Sequence, residues 1–414
     1  MPVVVDWLLV ALALALFVAV AAHQWRLPGL YNDEAYDVVP AMQLVLGQPV
    51  DLNRGVGLHL FGHDLPLMIS DYQGVSSTYA VLPLFAIFGV GVGPVRAMTI
   101  GFAALAILLT YPFGRALFGR AAGVLAVWLL ACSPSLIFWS RVGVYVVIQV
   151  VPLALGANLC FLRWRRSART GVWPRAGRHD WWLALAGLLV GIGLSTKILF
   201  LWYIFGALAG VIAVRLVAWR WPDNGARPKP FSALFHEPLP LTRTAALAAL
   251  GGLLLGAAPL LGYNLASGGT IKVILANLGH TEKGVNNADV ASNLLHQAGA
   301  FQVVLDGSYF WWLGRVHTNF LTTPVFVLST FGLLALVCLA PAYRRWRNIV
   351  VFLLTFLAAV FVQSAFTLSG LEPTHLLIML PLPQLIIAAF AALGGHWLAD
   401  LLRARHVAAL LHRL

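Results

Sequence analysis

Charge is what this chain has least of. Asp, Glu, Lys and Arg make up 10% of its 414 residues, where an ordinary soluble domain carries about 25%. That shortage excludes a water-facing globule. Cysteine is scarce as well: Cys132, Cys160 and Cys338 are the whole complement. They fall inside apolar segments, at spacings that fit neither a disulfide framework nor a zinc site, and read as small buried hydrophobes. Nucleotide-binding signatures are missing too. Gly89, Gly91 and Gly93 have no strand–helix–strand context, and Thr196-Lys197 reverses the Walker order with no strand before it. His59, His63 and Asp64 lack a defined further ligand, so no metal and no other cofactor is expected. Acid is the rarer sign, with 15 carboxylates against 27 lysines and arginines, a net charge of +12. The positive residues sit in short tracts between apolar runs, as topology signals do. Nucleic acid is therefore not expected as a partner.

What fills the chain is apolar. Hydrophobic residues reach 60% and mean hydropathy is +0.84. Several runs attain the roughly 20 residues that cross a bilayer as a helix. They are continuous, so an alternating β-barrel is excluded. The first run lacks the charged flank and cleavage site of a signal peptide and reads as a retained span. Spans are expected near 7–24, 94–113, 121–138, 144–162, 181–196, 198–216, 244–262, 323–340, 349–367 and 374–393. Tracts 115–120, 163–178, 215–243, 344–347 and 403–413 hold 19 of the 27 basic residues, which makes them cytoplasmic. They share one side only if the apolar piece 76–92 does not cross. The expectation is an all-α polytopic membrane protein of about ten spans with both termini inside. Residues 1–414 read as a single membrane-embedded domain. Two outer loops, about 25–93 and 263–322, fold over one another.

Ten of the 15 carboxylates then lie outside. The densest group is Tyr31-Asn32-Asp33-Glu34-Ala35-Tyr36-Asp37, three acids within five residues just after the first span. From Glu34 onward Ala35, Val38, Met42 and Val45 recur at helical spacing. Asp33 near the start of such a helix has a structural reading as a cap. The functional reading makes it a general base. Glycosyl transfer needs a carboxylate to take the proton of the acceptor hydroxyl, and one base suffices when the leaving group is a lipid phosphate. Direct displacement inverts the anomeric centre.

The Asp33-Glu34 pair resembles the acidic motif of the GT-C glycosyltransferases, and more closely that of the dolichyl-phosphate-mannose–protein mannosyltransferase-like group (glycosyltransferase families 39 and 83). Gly89 to Arg96, Gly114-Arg115-Ala116-Leu117-Phe118-Gly119, Ser133-Pro134 with Ser140-Arg141, Gly193-Leu194-Ser195-Thr196-Lys197 and His375-Leu376-Leu377 with Pro381 are similar, in order, to further segments of that family. The resemblance implies a GT-C-like helical bundle with juxtamembrane helices in the first outer loop. It also implies transfer of a sugar from a polyprenyl-phosphate donor, on the outer membrane face, to a lipid, envelope glycan or protein acceptor. Asp33 carries over as the base, with Glu34 beside it. Two departures stand out. Asp71-Tyr72-Gln73-Gly74 replaces a Lys-Pro-Pro-Leu-like element, and no acid occurs from Val142 to Gln149.

A lipid phosphate needs cations near the interface. Arg141 and Lys197 end spans, where the competing reading is snorkelling toward headgroups. Arg315 and His317, after an aromatic run, form a candidate sugar or phosphate wall. Asp71 and Tyr72 are candidates for the site, Asp71 alternatively capping the 76–92 helix. Glu372 and His375, three apart at the start of the last span, are expected to share a helical face. A transporter or flippase is the alternative, but it should carry ionisable or helix-breaking residues in mid-span and in paired halves. A non-catalytic partner with the same fold is a third reading. The expected location is the bacterial plasma (inner) membrane, with the site facing the periplasm or exterior.

Overall fold

The computed structural model describes residues 3–27, 29–142, 147–169, 179–221, 241–308 and 319–411. The chain is a helical bundle. Its first helix, α1 (Val3–Ala22), is apolar all round and buries Val10, Ala13, Phe17 and Ala21 as one stripe. Near its start Asp6 is buried and paired with Arg120 (2.6 Å) and the Tyr111 hydroxyl (2.7 Å), so its charge is matched within the bundle. Two helices follow in the first loop region, α2 (Asn32–Val45) and α3 (Ser76–Phe88). Val38 and Ala41 of α2 pack with Val81 and Phe85 of α3 and with Val95 and Met98 of α4 (Val92–Phe118). These loop helices are thus seated on the bundle through an apolar face.

Between α2 and α3 lie two short antiparallel hairpins, β1 (Gly57–Leu60) with β2 (His63–Pro66), and β3 (Met68–Ser70) with β4 (Gln73–Gly74). The all-α expectation omits them. Each strand is four residues or fewer, too short to show an alternation. His59 faces Asp64 across the first hairpin at 3.0 Å. Among the described residues no cluster fit to hold a metal ion occurs.

Beyond α4 come α5 (Arg120–Ala131), α6 (Pro134–Val142), α7 (Val147–Arg169), α8 (Trp181–Thr196), α9 (Leu201–Arg220), α10 (Arg243–Gly256), α11 (Ala258–Ser267), α12 (Gly269–Ala276), α13 (Val290–Asp306), α14 (Thr322–Leu339), α15 (Arg347–Gln363) and α16 (Leu382–Leu411). Among the described residues seven helices are long and apolar enough to cross a membrane. The number is up to nine if α5 with α6, bent by 53°, and α10 with α11, bent by 63°, each form one span. The 16-residue α8, expected as a further span, is apolar but shorter than the helices counted among these. The 13-residue α3 is shorter again. Cys160 is buried as expected, whereas Cys132 and Cys338 lie on the bundle surface.

Helices α8 and α10 cross at backbone contact. A side chain on Gly187 or Gly191 would strike the backbone of Ala249 or Leu253, and one on Gly252 or Gly256 that of Ala184 or Leu188. Small residues of this kind let membrane helices approach closely. The last span starts later than expected. Residues Pro373–Met379 form a buried 3-10 turn, and α16 begins only after Pro381. Proline there offers no N–H to continue the helix but fits a helix start.

Candidate functional site

The acidic turn of α2 is fixed by its own sequence. Tyr31 is the N-cap, and Glu34, three residues on, accepts its N–H at 2.9 Å. This is one half of a capping box. The Glu34 carboxylate also accepts a hydrogen bond from Arg96 Nη2 at 2.9 Å, and Arg96 Nε lies 2.9 Å from its other oxygen, in a buried ion pair. Arg96 further donates to the backbone carbonyls of Gly29 (3.3 Å) and Arg141. Glu34 and Arg96 therefore tie the start of α2 to the end of α6. Burial pushes the Glu34 carboxyl up to about 7, against the pull of the Tyr31 N–H and Arg96.

Asp33 lies on the other side of the same turn and is exposed. Asp37, four residues on, is 3% exposed. Its Oδ1 accepts Gln73 Nε2 at 2.6 Å, and its carbonyl accepts the Thr78 hydroxyl at 2.7 Å. Burial pushes the Asp37 carboxyl up to about 7; Lys197 pulls it down, Asp33 adds to the rise, and Gln73 and Ser77 oppose it. Ser77 in turn accepts Gln149 Nε2 at 2.9 Å, and Ser76 donates to Gln149 Oε1 at 2.7 Å. The stretch Val142 to Gln149, which departs from the resembled family in having no acid, thus presents an amide to the start of α3.

Asp71-Tyr72-Gln73-Gly74, the first departure, forms the turn that meets Lys197. Gln73 and Lys197 form an antiparallel backbone bridge, and the Ile198 N–H donates to the Tyr72 carbonyl at 3.1 Å. Gly74 lies so close to the Ser195 carbonyl that any Cβ would collide with it. Asp71 pairs with Arg54 (3.3 Å) and the Tyr263 hydroxyl. It does not cap α3, whose N-cap is Val75.

Lys197, between α8 and α9, is 4% exposed. Burial lowers its ammonium to about 8, while Asp37 and Asp33 favour its charge and Lys283 opposes it. His375 is buried in the 3-10 turn, with no hydrogen-bond partner for Nδ1 among the described residues. Burial, then Lys197 and Lys283, hold it neutral, its pKa lowered to about 3. Glu372 caps that turn and points outward to Lys283 at 3.8 Å. Tyr72 is half-buried and raised by burial; the Ser369 hydroxyl opposes that rise, and the charges of Arg54, Glu282 and Asp33 act on it. One electrostatic neighbourhood therefore gathers Asp33, Asp37, Tyr72, Lys197, Lys283 and His375. Arg141 stands half-buried beside Arg96. Arg315 and His317 lie outside the described residues.

Sequence reasoning singled out Asp33, Glu34, Asp71, Tyr72, Lys197, Glu372 and His375, and the fold draws all of them to the same end of the bundle. It gave no site role to Asp37, Gln73 or Lys283. The i, i+4 spacing of Asp33 and Asp37 was the available signal for the first.

The chain has the polytopic GT-C fold. It is similar to ArnT from Cupriavidus metallidurans bound to undecaprenyl phosphate, with a TM-score of 0.58 and 14% identity over 97% of this chain and 63% of that one. It is also similar to the Archaeoglobus fulgidus oligosaccharyltransferase in complex with Zn and sulfate (TM-score 0.53, 19% identity, 98% and 51% covered). A third match is the oligosaccharyltransferase AglB of that organism with an inhibitory peptide and a dolichol-phosphate (0.52, 17%, 99% and 52%). The chain thus spans less than two thirds of the length of each. No family model matches it, and no curated protein does.

Proposed function

We propose that the chain is a membrane glycosyltransferase that moves a sugar from a polyprenyl-phosphate donor to a hydroxyl acceptor on the outer face of the membrane. The observation that carries this reading is the placement of an exposed Asp33 and a buried Lys197, within electrostatic reach of each other, at one end of a GT-C bundle. ArnT is seen with undecaprenyl phosphate and AglB with a dolichol-phosphate, so the same fold holds lipid phosphates elsewhere.

Asp33 takes the proton of the acceptor hydroxyl. The acceptor oxygen attacks the anomeric carbon as the bond to the phosphate oxygen breaks, inverting that centre. The lipid phosphate leaves as an anion and needs no proton. Lys197 stabilises the charge that develops on it, in a site with little water. Arg141, Tyr72 and His375 line the donor side, with Arg315 and His317 as further candidates. Asp71 and Glu372 belong to the acceptor side through Arg54 and Lys283. Glu34 positions Asp33 through Arg96. The acceptor is a lipid, an envelope glycan or a protein, and the membrane is the bacterial plasma membrane.

The test supplies purified protein with radiolabelled polyprenyl-phosphate sugars and an envelope extract. Transfer by the wild type, lost by at least about a hundredfold in Asp33→Asn with donor binding kept, is the expected result. Equal transfer in both removes Asp33 as the base. No transfer from any donor favours the transporter alternative.

A further inference from the structure

We propose that Asp37 is a positioning residue: a buried counter-charge that, with Gln73 as the link, holds Lys197 in place and protonated for an anionic ligand. The inference rests on the reading of Lys197 as the phosphate contact.

Asp37 cannot reach an acceptor. Its side chain is enclosed by α2, α3 and the β3–β4 turn, and a buried carboxyl without partners is unfavourable. Its partner Gln73 has two attachments. The side-chain amide donates to Asp37 Oδ1 at 2.6 Å, and the backbone is bridged to Lys197. One residue thus fixes the carboxylate and the lysine relative to each other. Lys197 needs such help. It is enclosed, and the charged or titratable groups that act on it are Asp37 and Asp33 from α2, Lys283 from the loop after α12, and His375 from the 3-10 turn. Lys283 disfavours a second positive charge, and His375 is held neutral. Without Asp37, the exposed and hydrated Asp33 is the one carboxylate left in that group. Burial raises the Asp37 carboxyl and lowers the Lys197 ammonium, and the charge of each favours the charged form of the other.

Two measurements test this. Binding of farnesyl phosphate to the detergent-solubilised full chain is followed from pH 6 to 10. Wild-type affinity falls above about pH 8, and in Asp37→Asn that fall moves to lower pH by on the order of one unit. Lys197→Arg loses the fall altogether, because a guanidinium stays charged. An unmoved profile in Asp37→Asn, or a fall that persists in Lys197→Arg, overturns the proposal. The second measurement needs no ligand. Thermal midpoints are compared for Asp37→Asn, Lys197→Met and the double variant. A double loss smaller than the sum shows the pair coupled; additive losses overturn it. An Asp37→Asn chain that fails to fold while the double variant folds is the coupled result in its extreme form. If neither folds while Lys197→Met does, the proposal is overturned. A wild type that binds no farnesyl phosphate at any pH overturns the reading of Lys197 itself, and the thermal cycle still decides the pair.

Discussion

Asp33, Glu34 and Asp37 share little more than one turn of helix and have three different environments. Asp33 meets solvent, Glu34 meets Arg96, and Asp37 meets Gln73. Replacing Glu34 by Gln leaves the Arg96 guanidinium buried without its counter-charge. The expected cost is about 3–5 kcal/mol, read as a lower thermal midpoint, and a paired Glu34→Leu, Arg96→Met variant recovers part of it. His375 gives a pH dependence. Its pKa is lowered from 6.5 to about 3, so folding favours the neutral ring. The stability that ring contributes is complete above 6.5 and is lost as pH falls toward 3. In acid titrations of thermal stability, His375→Gln should therefore decline less steeply than the wild type between those values. Little of this was legible in the sequence. A carboxylate triplet announces a site, but the division of labour within it depends on Arg96 and Gln73, each 36 or more residues away. No local spacing encodes such a pairing.

At the scale of elements, the crossing of α8 and α10 decides where Lys197 stands, because α8 ends at Thr196. Gly191→Leu puts a branched side chain into the backbone of α10 and should cost about 3 kcal/mol or more. Gly251→Ala, on the same α10 with open space around it, should leave the thermal midpoint within about 0.5 kcal/mol of wild type. Helix positions were readable from the sequence because apolar runs report burial or lipid contact directly. The 16-residue α8 and the two bent pairs were readable as apolar but not as broken. The bends at Cys132–Ser133 and at Ala257 fall just before Pro134 and Pro259, which open α6 and α11 and offer no N–H to continue the helix before them, a local signal that the apolar pattern runs across. The last span was placed too early since the 373–379 run is apolar for burial inside the bundle, not for lipid.

Over the whole molecule, three distant segments close the same end of the bundle: the first loop, the stretch 277–297 and the stretch 364–372. Amides join the latter two. Asn287 bonds Asn277 O and Thr367 O and accepts the Thr367 N–H, Asn293 bonds Ala365 O, and Gln297 bonds Ser364 O. Asn287→Ala leaves several of these backbone groups buried and unpaired. The expected loss is about 1–3 kcal/mol, with faster proteolysis of the 277–297 stretch. Arg96 closes the first loop in a similar way, since its contacts bring together Gly29, Glu34 and Arg141. That has a consequence for biosynthesis. When Asp33 leaves the ribosome, neither Arg96, nor Lys197, nor His375 has been made. The acid precedes the histidine by about 340 residues, a wait of roughly 20–70 s at ordinary translation rates. Each group that gives Asp33 its surroundings arrives in turn. The nascent chain therefore carries its carboxylate through the insertion of every helix from α3 to α15 with nothing to act on, and the site is complete only once His375 has emerged.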